Sequence, residues 1–218
     1  PWLRNEVYLH IARNFKRFGW LYFFLYGASP AVCDSFVEKG KHGLESLPGG
    51  GLYKPNSTSL RMGDLGYISK AQDDLNISYN TLEDYCLDLE NALTTPYKAY
   101  QDIGEFVDGK RVQLNTSVIQ IENEYYSTIR PKRVCLTGER PVNVLRTEGI
   151  EYLELRCVDL DPFSPVGVRR DQLDFMDTLL MYCLLKESPP IGRGEAETIK
   201  NNHEKIINNG RDVNQIIN

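Results

Sequence analysis

Apolar and polar positions follow two different periods along this chain, and the switches between them mark its elements. Residues 5–26 are apolar on all sides and very aromatic, centred on Phe18-Gly19-Trp20-Leu21-Tyr22-Phe23-Phe24-Leu25-Tyr26. The pattern predicts a buried core helix, since the aromatic run is about half the length a bilayer crossing needs. Arg13, Lys16 and Arg17 just ahead of it leave a membrane-surface role as the alternative. Ser29-Pro30 has the form of an N-cap followed by a first-turn proline, which predicts a short helix stopping near Gly40. Residues 40–57 read as a loop. Within it Gly49-Gly50-Gly51 reads as a turn, because the Lys-Ser/Thr and the preceding strand of a phosphate-cradling loop are missing.

Further along, Asn80-Thr81-Leu82-Glu83 resembles a capping box. It opens a helix with Leu82, Cys86, Leu89 and Leu93 on one side, ending before Pro96. Residues 112–121 alternate roughly and 150–158 alternate cleanly, so both are expected as strands. A helix starts at Asp171, with Leu173, Met176, Leu180, Cys183 and Leu184 inward, and stops at Pro189-Pro190. A last, polar helix runs from about 195 to Gly210. Helices and strands interleave without regular βαβ units, so the expected class is α+β.

Composition narrows the function. The chain has 218 residues, 41% of them hydrophobic and 25% charged, which excludes a disordered segment. Its net charge of −5 argues against a dedicated nucleic-acid binder, whose affinity comes from neutralising phosphates. Cysteines at 33, 86, 135, 157 and 183 are too far apart for a metal knuckle or a CxxC motif. They fit reduced thiols in a cytoplasmic protein. His10, His42 and His203 are equally isolated and read as surface or packing histidines. Pro1 at one end and the uncovered Ile216-Ile217 at the other suggest the middle of a longer chain.

Three stretches carry candidate chemistry. On a strand over 150–158, Glu154 and Arg156 point the same way, roughly 6.5–7 Å apart at Cα. Either they form part of a solvated face with a cross-strand ion pair, or they face a wet cavity. In a cavity the carboxylate suits a hard cation and the guanidinium suits phosphate oxygens. Residues 121–133 pass from Glu122, Glu124, Tyr125 and Tyr126 to a basic turn, Arg130-Pro131-Lys132-Arg133. That turn fits a phosphate or carboxylate pocket, or a charged surface. Arg61 and Tyr67 lie in the glycine-punctuated stretch 58–67, a combination that can hold an amino-acid carboxylate.

Together these stretches resemble the proteobacterial glutamate–cysteine ligases. The likeness rests on Arg17-Phe18-Gly19-Trp20, on 26–33, on Thr58-Ser59-Leu60-Arg61 through Tyr67, and on Gln120 to Glu124. It continues through Ile129 to Arg133, Gly149 to Arg156, and Asp161-Pro162-Phe163-Ser164-Pro165-Val166-Gly167, all in family order. The resemblance implies a glutamine-synthetase-like architecture, an antiparallel sheet funnel with outer helices, of which 1–218 is the central part of one catalytic domain. It implies joining of glutamate to cysteine with ATP and Mg²⁺ through an acyl phosphate, with no nucleic-acid or membrane partner. By position, Glu154 matches a magnesium ligand and Arg156 a catalytic arginine that contacts the transferred phosphoryl group of ATP. Arg61, Tyr67 and Tyr126 match the amino-acid pocket. The family's other metal carboxylates and its metal-binding histidine belong to a part this chain lacks. Lys54-Pro55-Asn56-Ser57 departs from the commoner family wording. The alternatives are a related ligase with another acceptor amine and a non-catalytic interaction domain.

Overall fold

The aromatic helix forms as two pieces, α1 (Trp2–Phe18) and α2 (Trp20–Tyr26), with Gly19 between them. In this computed structural model, which describes residues 2–37, 43–63, 65–66 and 69–217, α1 is the central post. Leu9, Ala12 and Phe15 are fully buried on it. Its two buried polar residues act as clamps. Arg13 donates to the carbonyls of Tyr79 (3.0 Å), Asn80 (3.2 Å) and Ser188 (3.1 Å). Asn14 donates to Cys183 (2.9 Å) and Lys186 (2.7 Å), satisfying carbonyls left open at the C-terminus of α6 (Arg170–Leu185). Helix α1 packs on α6, and α2 packs on α7 (Arg193–Asn209).

The α+β class and the antiparallel pairing are both present. A three-stranded sheet has the order β1-β3-β2, from β1 (Ala31–Cys33), β2 (Glu45–Leu47) and β3 (Gly51–Tyr53). Two sequence expectations fail here. Residues 31–33 are a strand and not the start of a helix, because the Ser29 hydroxyl is committed to Asp159 (2.9 Å) and caps nothing. The loop over 40–57 contains β2 and β3, joined by a turn in which Gly49 and Gly50 take φ of 95° and 92°.

Helix α3 (Leu82–Thr94) starts as the capping signal requires, with Thr81 accepting from the Asp84 N–H at 3.0 Å. A short α4 (Lys98–Ile103) and the pair β4 (Phe106–Val107) and β5 (Lys110–Arg111) follow. The strand expected over 112–121 does not form. Polar side chains take its backbone groups: Leu114 N–H donates to Gln120 (2.7 Å) and Ser117 N–H to Asn115 (2.8 Å).

The last sheet pairs β6 (Ile129–Lys132) with β7 (Tyr152–Leu155), connected through α5 (Pro141–Glu148). Helix α5 ends at Gly149, whose φ of 82° suits glycine; an added Cβ would meet Asn5 Oδ1 at 2.6 Å. That oxygen accepts the Ile150 N–H at 2.8 Å, tying α1 to the approach of β7. Leu153 and Leu155 pack on the hydrophobic cluster, beside fully buried Ile129. Among the described residues no helix is long and apolar enough to cross a membrane.

Candidate functional site

The β6–β7 register places Ile129 opposite Leu155, Arg130 opposite Glu154 and Lys132 opposite Tyr152. The Arg156 N–H donates to the Thr128 carbonyl (3.0 Å), extending the ladder by one pair. Strict alternation then gives the outward face to Arg130, Lys132, Tyr152, Glu154 and Arg156. Pro131 sits between hydrogen-bonded pairs, so its missing N–H costs the ladder nothing. Arg130 is 4% exposed and reaches Glu154 Oε2 with Nη2 (2.9 Å) and Nε (3.0 Å). It also donates to the carbonyls of Tyr125 (2.8 Å) and Asn123 (3.2 Å). Burial, helped by the nearby Arg130 and Arg156 guanidinium groups, pulls the Lys132 ammonium below its ordinary range. Three cations thus crowd one half-exposed carboxylate.

Arg61 meets this face at the outgoing end of β7. Its segment is anchored on α7: the Thr58 N–H and the Ser57 hydroxyl donate to Ile207 O (2.9 and 2.8 Å), and the Thr58 hydroxyl to Ile206 O (2.9 Å). These bonds satisfy carbonyls at the helix C-terminus. Arg61 Nη2 then donates to the carbonyls of Arg156 (3.3 Å) and Val158 (3.0 Å). So Arg61, distant in sequence, is tied to the end of the strand that carries Glu154 and Arg156.

Tyr126 lies apart from them, on the wall of a cavity of about 840 Å³ between α1, residues 72–80, residues 125–128 and α7. Arg61, Glu154 and Arg156 do not line that cavity. Gln72 fixes the tyrosine's backbone, accepting the Tyr126 N–H (3.0 Å) while donating to Glu124 O (2.8 Å). The floor holds a buried hydroxyl network. Tyr79 donates to Ile129 O (2.7 Å) and lies 2.9 Å from the Ser127 hydroxyl and 3.4 Å from that of Tyr125. Burial raises the pKa of both phenols, which stay neutral. Lys16 lies 5.1 Å from the Tyr79 ring centre, and burial lowers its ammonium to about 8. Tyr67 lies outside the described residues, as does His42.

The two other histidines behave as packing residues. His10 Nε2 meets Lys186 O at 2.8 Å. His203 packs edge-on against Phe23 with ring centres 5.5 Å apart, and burial, then nearby Lys16, holds it to about 3. Among the described residues no three His, Cys, Asp or Glu side chains group as metal ligands. A hard cation takes six or more oxygens, and Glu154 is one carboxylate already paired with Arg130. These residues do not hold a magnesium ion by themselves.

The sequence pattern of the glutamate-cysteine ligase family matches residues 2–206. The chain belongs to this family. It is 48% identical over 208 residues to the glutamate–cysteine ligase of Azotobacter vinelandii, covering 95% of this chain and 39% of that protein. Against the enzyme of Pseudomonas putida strain W619 the identity is 47%, with 95% and 40% covered. The chain therefore spans about two-fifths of the length of the curated relatives it matches. A crystal structure of the Francisella tularensis glutamate–cysteine ligase in complex with AMP superposes with a TM-score of 0.88 at 39% identity, over 95% of this chain and 42% of that one. A bifunctional glutathione synthetase from Pasteurella multocida, 23% identical with a TM-score of 0.64 over 93% of this chain and 22% of its own, shares the fold.

Sequence reasoning about the glutamate–cysteine ligase motifs missed three members of the cluster. Arg130 and Lys132 were visible only as a basic turn, since nothing in one sequence gives the register that sets Arg130 against Glu154. Asp159, which accepts from Arg61 Nε at 2.8 Å, carries no spacing signal at all.

Proposed function

We propose that residues 1–218 form the central part of the single catalytic domain of a cytoplasmic glutamate–cysteine ligase. In this reading the enzyme joins the γ-carboxylate of glutamate to the amino group of cysteine, driven by ATP, giving γ-glutamylcysteine for glutathione biosynthesis. Family membership supports it, as does the AMP bound to the Francisella tularensis relative. The observation that carries it is the outward face of β6–β7, where Arg130, Lys132 and Arg156 gather about Glu154.

The chemistry calls for such a face. A carboxylate is a poor acyl donor, so the γ-carboxylate of glutamate first takes the terminal phosphoryl group of ATP. The amine of cysteine then attacks the acyl carbon, loses its proton, and phosphate leaves with the bond it held. Charge on the phosphoryl oxygens in transit needs fixed donors, and a guanidinium fork supplies them. Arg156 takes that role. Arg130 is buried and holds Glu154 in place, and Glu154 would contribute one of the several oxygen ligands that a magnesium ion accompanying ATP requires. Arg61, Tyr67 and Tyr126 are assigned to the acceptor amino acid by their match to the family's pocket, with Arg61 at the β7 end and Tyr126 on the wall of the neighbouring cavity.

The test uses the ligase that carries this segment. Glu154→Gln and Arg156→Ala should each lower kcat about a hundredfold or more, as removal of a transition-state donor does. Weaker binding of ATP with magnesium, measured by calorimetry, should accompany the first. If neither variant disturbs turnover or nucleotide binding, the assignment fails. A product panel with alternative amino acids reads the acceptor directly, and cysteine should win. The 218-residue chain alone should form no γ-glutamylcysteine, because one carboxylate does not complete the metal shell.

A further inference from the structure

Asp159 lies just beyond β7, with a side chain only 2% exposed. Its Oδ2 accepts the Ala28 N–H at 3.0 Å and the Ser29 hydroxyl at 2.9 Å. Its Oδ1 accepts Arg61 Nε at 2.8 Å. The same guanidinium turns its Nη2 onto the carbonyls of Arg156 and Val158, 3.3 and 3.0 Å away. One carboxylate and one guanidinium therefore lock three separate stretches of chain: residues 28–29, Arg61, and the strand end that carries Arg156. A buried carboxylate is tolerated only when its lone pairs are met by donors, and here three donors meet them.

We propose that Asp159 is a positioning residue: it sets the orientation of the Arg61 fork toward the acceptor amino acid. The inference rests on the reading above that Arg61 serves the acceptor amino acid. It adds a physical distinction. The charge of Arg61 is balanced at 2.8 Å by a carboxylate, so its service to the acceptor's carboxylate is directional rather than a matter of net charge. Asp159 touches no reacting atom in this scheme and acts only through the fork.

Steady-state kinetics on the ligase that carries this segment test the inference. Asp159→Asn keeps the shape and removes the charge that aligns Arg61. It should raise the acceptor KM about tenfold and leave the ATP KM within about twofold, the signature of lost orientation at one substrate. Arg61→Ala should raise the same KM, and the double variant should be no worse than Arg61→Ala, because the two residues act as one unit. Arg61→Lys keeps the charge but loses the fork, so it should lose as much acceptor affinity as alanine. This variant decides the matter if Asp159→Asn does not fold. A wild-type acceptor KM in Arg61→Lys overturns the inference. So does an Asp159→Asn loss that multiplies with that of Arg61→Ala or spreads equally over all substrates, the behaviour of a purely structural tie. Should Arg61→Ala impair the acceptor KM while Asp159→Asn does not, this inference falls and the pocket reading stands. Should Arg61→Ala leave that KM unchanged, both fall.

Discussion

Arg130 shows how much one side chain settles locally. It lies in a strand, is buried, and spends its donors on Glu154, Tyr125 and Asn123. Replacement by methionine keeps the apolar stem and strands two carbonyls and a carboxylate. Hydrogen bonds to charged groups are worth about 1.5–3 kcal/mol net, and Glu154 is partly solvated, so Arg130→Met should cost about 2 kcal/mol. Urea denaturation with the slope unchanged is the measurement; a loss below about 0.5 kcal/mol would mean that the pair is merely a surface contact. This residue also marks a limit of reading from sequence. The alternation over 150–158 correctly set Glu154 and Arg156 on one face and Leu153 and Leu155 on the other. It left open whether that face held an ion pair, and the partner came from 24 residues upstream through a register no local pattern encodes.

Helix α7 is the element whose attachment responds most directly to acid. His203 packs against Phe23 of α2, and its imidazole is held to about 3 against an ordinary 6.5. The unfolded chain therefore takes up the proton first as pH falls. Stability is full above about 6.5, declines as pH drops toward 3, and loses nothing more from this group below that. At the other end of α7, Arg17 holds the Glu195 carboxyl below its ordinary value, a contribution lost in the same direction at lower pH. The urea midpoint should fall between pH 7 and pH 4, and by less in His203→Phe; equal falls would remove the ring from the account. As elements, α3 and α6 were legible because Cys86 and Leu89 on the first and Met176 and Cys183 on the second do pack inward, although Leu173, expected inward, is exposed; α7 was legible from its stop at Gly210. Residues 31–33 and 112–121 were not. In the first, pairing with β3 outweighs the local helix signal; in the second, Asn and Gln side chains outcompete a partner strand.

At the scale of the whole molecule, a hydrophobic cluster joins α1, α2, α3, α5, α6, α7 and the β6–β7 pair. Cys86 on α3, Cys157 just beyond β7 and Cys183 on α6 sit in it, and burial pushes their thiols up to about 11, 12 and 12. Protonated and enclosed thiols are poor nucleophiles, whereas Cys33 is exposed and Cys135 half-buried. A thiol-titrating disulfide reagent at pH 8 should modify Cys33 and Cys135 first. The other three should become reactive together, at the urea concentration that unfolds the chain. Separate onsets would mean that the cluster is not one cooperative unit.

The clamps at α1 have a kinetic consequence. Arg13 reaches Ser188 across a separation of 175 residues, and Asn14 reaches Lys186 across 172. A nascent chain leaving the ribosome thus exposes its most aromatic stretch well before the matching surface has been made. Closure over so long a loop is slow, and the aromatic stretch stays open to misassociation until then. Over that interval a chaperone would have sticky surface to hold.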